Sequence, residues 1–378
     1  MGGNPVIELT KLGQCVWLDT LSRKIIESGE LSHLAEVDGV SGVTTNPSIF
    51  QKAISGSEDY DGSLKKLIAD NVMDAKELFF QLAFEDVGAA ADILRPIYEK
   101  SKGRHGFVSI EVSPDLAYDT EATIAEARWI FSTLGRKNIM VKVPATKEGL
   151  PAIEQLTADG VNVNVTLLFS VKRYEEVADA FMKGLERRLG QNHAIDDIAS
   201  VASFFVSRVD TLTDKLLEEK LKGAQAGPEK EKLEGLLGRA AVSNAKFAYK
   251  RGETIMESDR FKRLEEKSAQ FQRLLWGSTS TKNPQYSDIK YVQELIGPLT
   301  VNTLPLETIK AFIDHGEPKV TIRDGIEAVE SLFDELRSVG IEIEDVAQEL
   351  EKQGVKSFAD AYFELLDEIA SKRDKLKL

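Results

Sequence analysis

The sequence predicts an α/β fold, a single (β/α)8 TIM barrel with additional helices, on three observations. Short apolar, β-branched runs alternate with longer stretches whose apolar residues recur at helical spacing, from about residue 15 to residue 305. The runs number eight, as a closed ring of parallel strands requires. Polar side chains inside these runs gather near their C-terminal ends, where barrels assemble sites from several strands. An open doubly wound sheet is the competing arrangement.

In chain order the strand runs are CVWLDT (15–20), GVTTNP (42–47), FVSIEV (107–112), IMVKVPA (139–145), VNVTLLF (163–169), ASFFVSRVD (202–210), RLLWGST (273–279) and LTVNTLP (299–305). Parallel strands are covered on both faces, so they read as continuously apolar rather than alternating. The connections read as amphipathic helices. Tyr174, Val177, Ala178, Phe181 and Leu185 share one face, with Ser170 as N-cap and Gly190 as stop, and Ala75, Leu78, Phe79 and Leu82 repeat the pattern. Two gaps, 48–106 and 211–272, are too long for one crossover helix; the second breaks at GAQAGP (223–228). Both are expected to hold extra helices on the barrel, so that 1–378 forms one domain. Residues 306–378 read as further helices, the last with Phe358, Ala361, Tyr362, Leu365 and Ile369 on one face behind Ser357.

Charge narrows the function classes. Sixty-two acidic against 48 basic side chains give −14, a field that repels nucleic acid and anionic membranes, so any phosphate site must be built locally. Cys15 is the only cysteine, which excludes an internal disulfide and multi-thiolate metal sites and suits a reducing cytosol. The four histidines lie far apart without metal-ligand spacing. The first residues lack the basic start and apolar core of a secretory signal, and Val6 breaks the myristoylation pattern that Gly2 suggests. No apolar run approaches the ~20 residues of a membrane helix, and the expectation is a soluble cytoplasmic protein. Neither GxGxxG, GxxxxGK[ST] nor GxSxG occurs, so no nucleotide or nicotinamide cofactor is supported. A homo-oligomer is compatible with the sequence.

The polar exceptions are Asp19, Asn46, Glu111, Lys142, Thr166 and Arg208, each near the end of a different run, with Lys282 a few residues past the seventh. Lys142 stands inside a β-branched run where water is scarce, and desolvation there is expected to favour the free amine. An ordinary lysine of pKa ~10.4 is at most about 0.1% amine at neutral pH; one lowered to roughly 8 is about a tenth amine and can attack a ketone. A phosphate-binding or ion-paired lysine is the alternative. Asp19 either shuttles a proton or caps a helix beginning near Thr20. Glu111 is either an acid/base or the structural ion-pair partner of Lys142. TTNP is either a ligand-binding segment or simply a turn. Asn164, Thr166 and Leu168 alternate and should share a face, the polar two either binding ligand or forming a structural hydrogen-bond pair. In SFFVSR, with Ser203 and Phe205, Arg208 either clamps a phosphate or pairs with a surface acid. Lys282 is a loop lysine whose plain reading is a solvated charge.

In combination these segments resemble the transaldolases over nearly the whole chain. The resemblance rests on WLDT (17–20), GVTTNPSIF (42–50), SIEVSP (109–114), VKVPAT (141–146), GVNVNVTLLFS (160–170), SFFVSR (203–208) and STSTKNP (278–284), in family order. It implies a metal- and cofactor-independent (β/α)8 enzyme of the pentose phosphate pathway. Such an enzyme moves a dihydroxyacetone unit from sedoheptulose 7-phosphate to glyceraldehyde 3-phosphate, giving erythrose 4-phosphate and fructose 6-phosphate. By motif position the resemblance makes Lys142 the Schiff-base lysine, Asp19 the acid/base of carbon–carbon cleavage, and Glu111 with Thr166 the pair that handles water. It makes Asn46, Asn164 and Ser203 ligands of the dihydroxyacetone hydroxyls, and Arg208 a phosphate ligand. A second arginine used by many members is absent, and Lys282 stands near its expected place. Fructose 6-phosphate aldolases, smaller relatives that release dihydroxyacetone to water, are expected to carry tyrosine at the position of Phe205 and glutamine at that of Glu111. A phosphosugar isomerase or epimerase would use Asp19 and Glu111 as proton carriers and Lys142 only as a charge. A non-catalytic scaffold offers no reason for polar groups to collect at strand ends.

Overall fold

Each apolar run forms a strand, and all eight pair in parallel. In the computed structural model, which describes residues 3–55, 57–70 and 72–376, they are β1 (Gln14–Leu18), β2 (Val40–Thr44), β3 (Phe107–Glu111), β4 (Ile139–Pro144), β5 (Val163–Leu168), β6 (Ser200–Phe205), β7 (Arg273–Gly277) and β8 (Thr300–Leu304). β1 pairs with both β2 and β8, so the sheet closes and the open alternative is excluded. The run 202–210 is not one strand: β6 ends at Phe205 and a helix, Ser207–Leu221, starts two residues later. Arg208 therefore projects from the first turn of a helix and not from a strand.

Alternation sorts the side chains. Cys15, Trp17, Phe107, Met140, Val201, Leu275 and Val301 form a separate buried cluster that fills the barrel interior. A period of two then brings Asp19, Glu111, Lys142, Ser203 and Thr303 to the same interior face, nearer the C-terminal end. Register agrees, since Glu111 pairs with Lys142 and Lys142 with Asn164. Gly42 belongs to this packing, because a Cβ there would lie 2.5 Å from the Trp17 indole. The alternation expected for Asn164, Thr166 and Leu168 fails at the last of them. Val165 pairs with Ala202 and then Leu168 with Phe204, three residues against two, with Leu167 at φ 57°. This bulge turns Leu168 outward with Phe204, away from the face of Asn164 and Thr166.

The long gaps are helical, as expected. Residues 48–106 hold Pro47–Ser55, Asp61–Asp70 and Ala75–Lys100, the last begun by a capping box of Asp74 and Glu77. After Ser207–Leu221 the chain breaks at 222–227 and resumes as Pro228–Leu236, Ala240–Glu257 and Asp259–Glu265. Helix Val171–Gly190 begins as expected, with Ser170 Oγ accepting from the Arg173 amide. Ser357 is not a cap. It lies inside one continuous 34-residue helix, Ile343–Leu376, whose buried face runs Val346, Leu350, Phe358, Tyr362, Leu365 and Ile369. This helix packs on Pro47–Ser55 and Ala75–Lys100 and reaches β5. Among the described residues no helix is long and apolar enough to cross a membrane.

Candidate active site

At the C-terminal mouth of the barrel lies a cavity of about 610 Å³. Eight of the ten expected residues line it: Asp19, Asn46, Lys142, Thr166, Ser203, Phe205, Arg208 and Lys282. Glu111 and Asn164 stand behind the wall, each touching a residue that does line it.

Lys142, 5% exposed, donates to the Glu111 carboxylate (Nζ to Oε2, 3.2 Å) and to the Thr45 carbonyl (2.9 Å). The ion pair anticipated for Glu111 is thus present, directly at the cavity. Burial pushes the Glu111 carboxyl above the usual carboxylate range, and the Lys142 charge opposes that. Its second oxygen, Oε1, and Thr166 Oγ1 are both buried without a hydrogen-bond partner among the described residues. A carboxylate oxygen and a hydroxyl buried without partners are groups a small polar molecule would satisfy.

Asp19 follows β1 by one residue, and its amide is tied to Leu304 of β8 (2.8 Å). It caps no helix: the next one, Arg23–Glu27, is capped by Ser22. Burial also raises the Asp19 carboxyl, offset first by a hydrogen bond from Thr44 Oγ1 (2.7 Å) and then by the Lys142 charge. Asn46 does initiate structure, since its side chain accepts from the Ile49 amide (3.0 Å) at the head of Pro47–Ser55. The amide of Asn164 is spent inside the barrel: it donates to Ser109 Oγ (3.0 Å) and accepts from Ser203 Oγ (2.6 Å). Asn164 is thus bonded to Ser109 and Ser203 and not to Thr166, and Ser203 is the member that faces the cavity.

Arg208 has no carboxylate partner among the described residues and lies over the Phe205 ring, 5.8 Å from its centroid. Burial lowers its pKa from the ordinary arginine value, the cost of an unpaired cation. Lys282 is exposed at the rim and donates to Ser280 Oγ (2.9 Å). Sequence reasoning missed Thr44, Thr303, Lys52 and Phe358, all cavity-lining. Thr44 was findable, as a polar residue in the second apolar run, at the end of β2. Phe358 comes from the C-terminal helix, and nothing local in the sequence says where that helix docks.

The arrangement offers one buried amine, two carboxyls of raised pKa and an unpaired guanidinium around one cavity. It can form an imine, move protons on both sides of it, and hold an anion at the mouth. Residues 16–369 match the family model described as Transaldolase/Fructose-6-phosphate aldolase. A transaldolase of Trichodesmium erythraeum is 46% identical over 375 residues, covering 99% of this chain and 98% of the relative. One of Parafrankia sp. is 47% identical over 366 residues, 97% of each, and a protein named Transaldolase 2 from Nostoc sp. is 45% identical over 375 residues, 98% of each. Matched by this family model and by these relatives along nearly its full length, the chain belongs to the transaldolase/fructose-6-phosphate aldolase family.

Proposed function

We propose that this chain is a transaldolase that carries a dihydroxyacetone unit between phosphorylated sugars on a Schiff base at Lys142. The supporting observation is the buried Lys142 amine, 3.2 Å from a carboxylate of raised pKa and open to the cavity that Asp19 also lines. Glu111 takes a proton from the ammonium, and the freed amine attacks the ketose carbonyl. Glu111 and Thr166 then manage the water that leaves as the iminium forms. With the iminium as electron sink, Asp19 removes the hydroxyl proton, the carbon–carbon bond breaks and the aldose departs. The retained enamine attacks a second aldehyde, so the kinetics are ping-pong. Asn46 and Ser203 meet the dihydroxyacetone hydroxyls, Asn164 orients Ser203, and Arg208 with Lys282 receives the phosphate of sedoheptulose 7-phosphate or fructose 6-phosphate.

Transfer is favoured over simple aldol release by Phe205, a ring without a hydroxyl, and by a carboxylate at 111. An isomerase would use Lys142 only as a charge and should tolerate Lys142→Arg, which a Schiff-base enzyme does not. The test is reductive trapping. Borohydride with fructose 6-phosphate should leave a three-carbon adduct on Lys142, found by peptide mass spectrometry, and Lys142→Arg should abolish both adduct and activity. Activity retained by Lys142→Arg would dismiss the Schiff base.

A further inference from the structure

Phe358 reaches the cavity from the C-terminal helix, far in sequence from every other wall residue. It is 5% exposed, and its ring centroid stands 5.8 Å from Lys142 Nζ and 6.5 Å from the Phe205 ring. Its position is set by strands that carry the site. A Cβ at Gly354, one turn earlier, would lie 2.9 Å from Leu167 in the β5 bulge, so the helix backbone sits close against that strand. One turn later, Tyr362 hydroxyl lies 3.1 Å from Ser113 Oγ, two residues beyond Glu111. Ser170, which caps the helix after β5, also donates to Glu344 of the C-terminal helix (2.7 Å). The ring is thus held through the side chains of Leu167, next to Thr166, and Ser113, near Glu111, and it stands over an amine whose hydrogen-bond partners are Glu111 and the Thr45 carbonyl.

We infer that Phe358 is a specificity-determining residue that sets the partition between transfer and release, by walling Lys142 and the three-carbon enamine held on it from water. The inference rests on the Schiff-base reading above. After cleavage the bound enamine has two exits. In transfer its carbon attacks an aldehyde. In release the same carbon takes a proton, water adds across the resulting C=N bond, the Lys142 amine leaves, and dihydroxyacetone departs. Each exit ends with water hydrolysing an iminium, but release alone first requires a proton at the enamine carbon, so an apolar ring that keeps water, the carrier of that proton, from the enamine slows release selectively. The ring face also favours the iminium cation.

The test uses the full chain with fructose 6-phosphate, with and without glyceraldehyde 3-phosphate, measuring free dihydroxyacetone against transfer product. In Phe358→Ala the release-to-transfer ratio should rise about tenfold while borohydride still traps the Lys142 adduct, and Phe358→Leu should stay within about twofold of wild type. If the alanine variant does not melt cooperatively, Phe358→Val carries the same comparison, with a rise of about threefold expected from its smaller gap. A ring that serves only packing lowers the melting temperature and leaves the ratio alone; an unchanged ratio in a variant that still traps the adduct overturns the inference and spares the Schiff base. A wild-type chain that traps no adduct overturns both.

Discussion

The Thr44 hydroxyl has one proton and two oxygens within reach: Asp19 Oδ1 at 2.7 Å and Thr303 Oγ1 at 2.6 Å. An ionised carboxylate can only accept, so Thr44 donates to Asp19 and Thr303 donates to Thr44. This short chain favours the anion that burial disfavours. Asp19 must be ionised to remove a hydroxyl proton, and its pKa lies above the ordinary value of about 4. The acid limb of the kcat/KM profile should therefore lie above that value. Thr44→Val removes the donor while keeping the shape, so the limb should move to still higher pH by about 0.5–1 unit, the loss of one charge-assisted hydrogen bond. A pH–rate profile of both proteins checks this; a limb that stays put would assign it to Glu111, whose carboxyl is also raised.

Among the elements, the strands were the legible part, because burial on both faces leaves a parallel strand no choice but apolar residues. Packing inside the ring is as strict. Gly42→Ala should destabilise the chain by roughly 1–3 kcal/mol, since the contact would be with the rigid Trp17 indole and not with a flexible chain end; denaturant titration measures it. Where the reading failed, the cause was non-local. Ser207–Leu221 has no side-chain cap of its own. Its first amides, Val206 and Ser207, are bonded instead to the Gly277 and Ser278 carbonyls at the end of β7, so no start signal separates Arg208 from the strand before it. Ser357 failed in the opposite sense. A serine before an apolar stripe resembles a cap, yet the stripe continues upstream through Leu350 and Val346. The polar residues of the site were visible as exceptions in apolar runs, and the bulge at Leu167 was not, because its cause lies in the pairing with β6.

Over the whole molecule the charge is −14, and the cavity mouth departs from it. Lys52, Arg208 and Lys282 line the mouth, against Glu307 and Asp19. A doubly charged phosphate must approach a repelling body and find an attractive spot, so its capture should depend on salt. Lys282→Met should raise KM for fructose 6-phosphate about five- to tenfold with kcat nearly unchanged, and should flatten the rise of KM between low and 0.3 M salt, where the Debye length falls below about 10 Å. Steady-state kinetics at several ionic strengths separates this from a folding defect.

The pairing of β1 with β8 joins Gln14 to Thr300, 286 residues apart, through a direct side-chain hydrogen bond. On a ribosome β1 therefore emerges long before the neighbour that completes it, with one full row of amides and carbonyls waiting at an open edge. Until β8 appears, the nascent chain is a curved sheet with two sticky borders, the state in which such chains associate wrongly. Synthesis rate between those two strands, and whatever shields the first edge meanwhile, should govern the yield of this protein more than its final stability does.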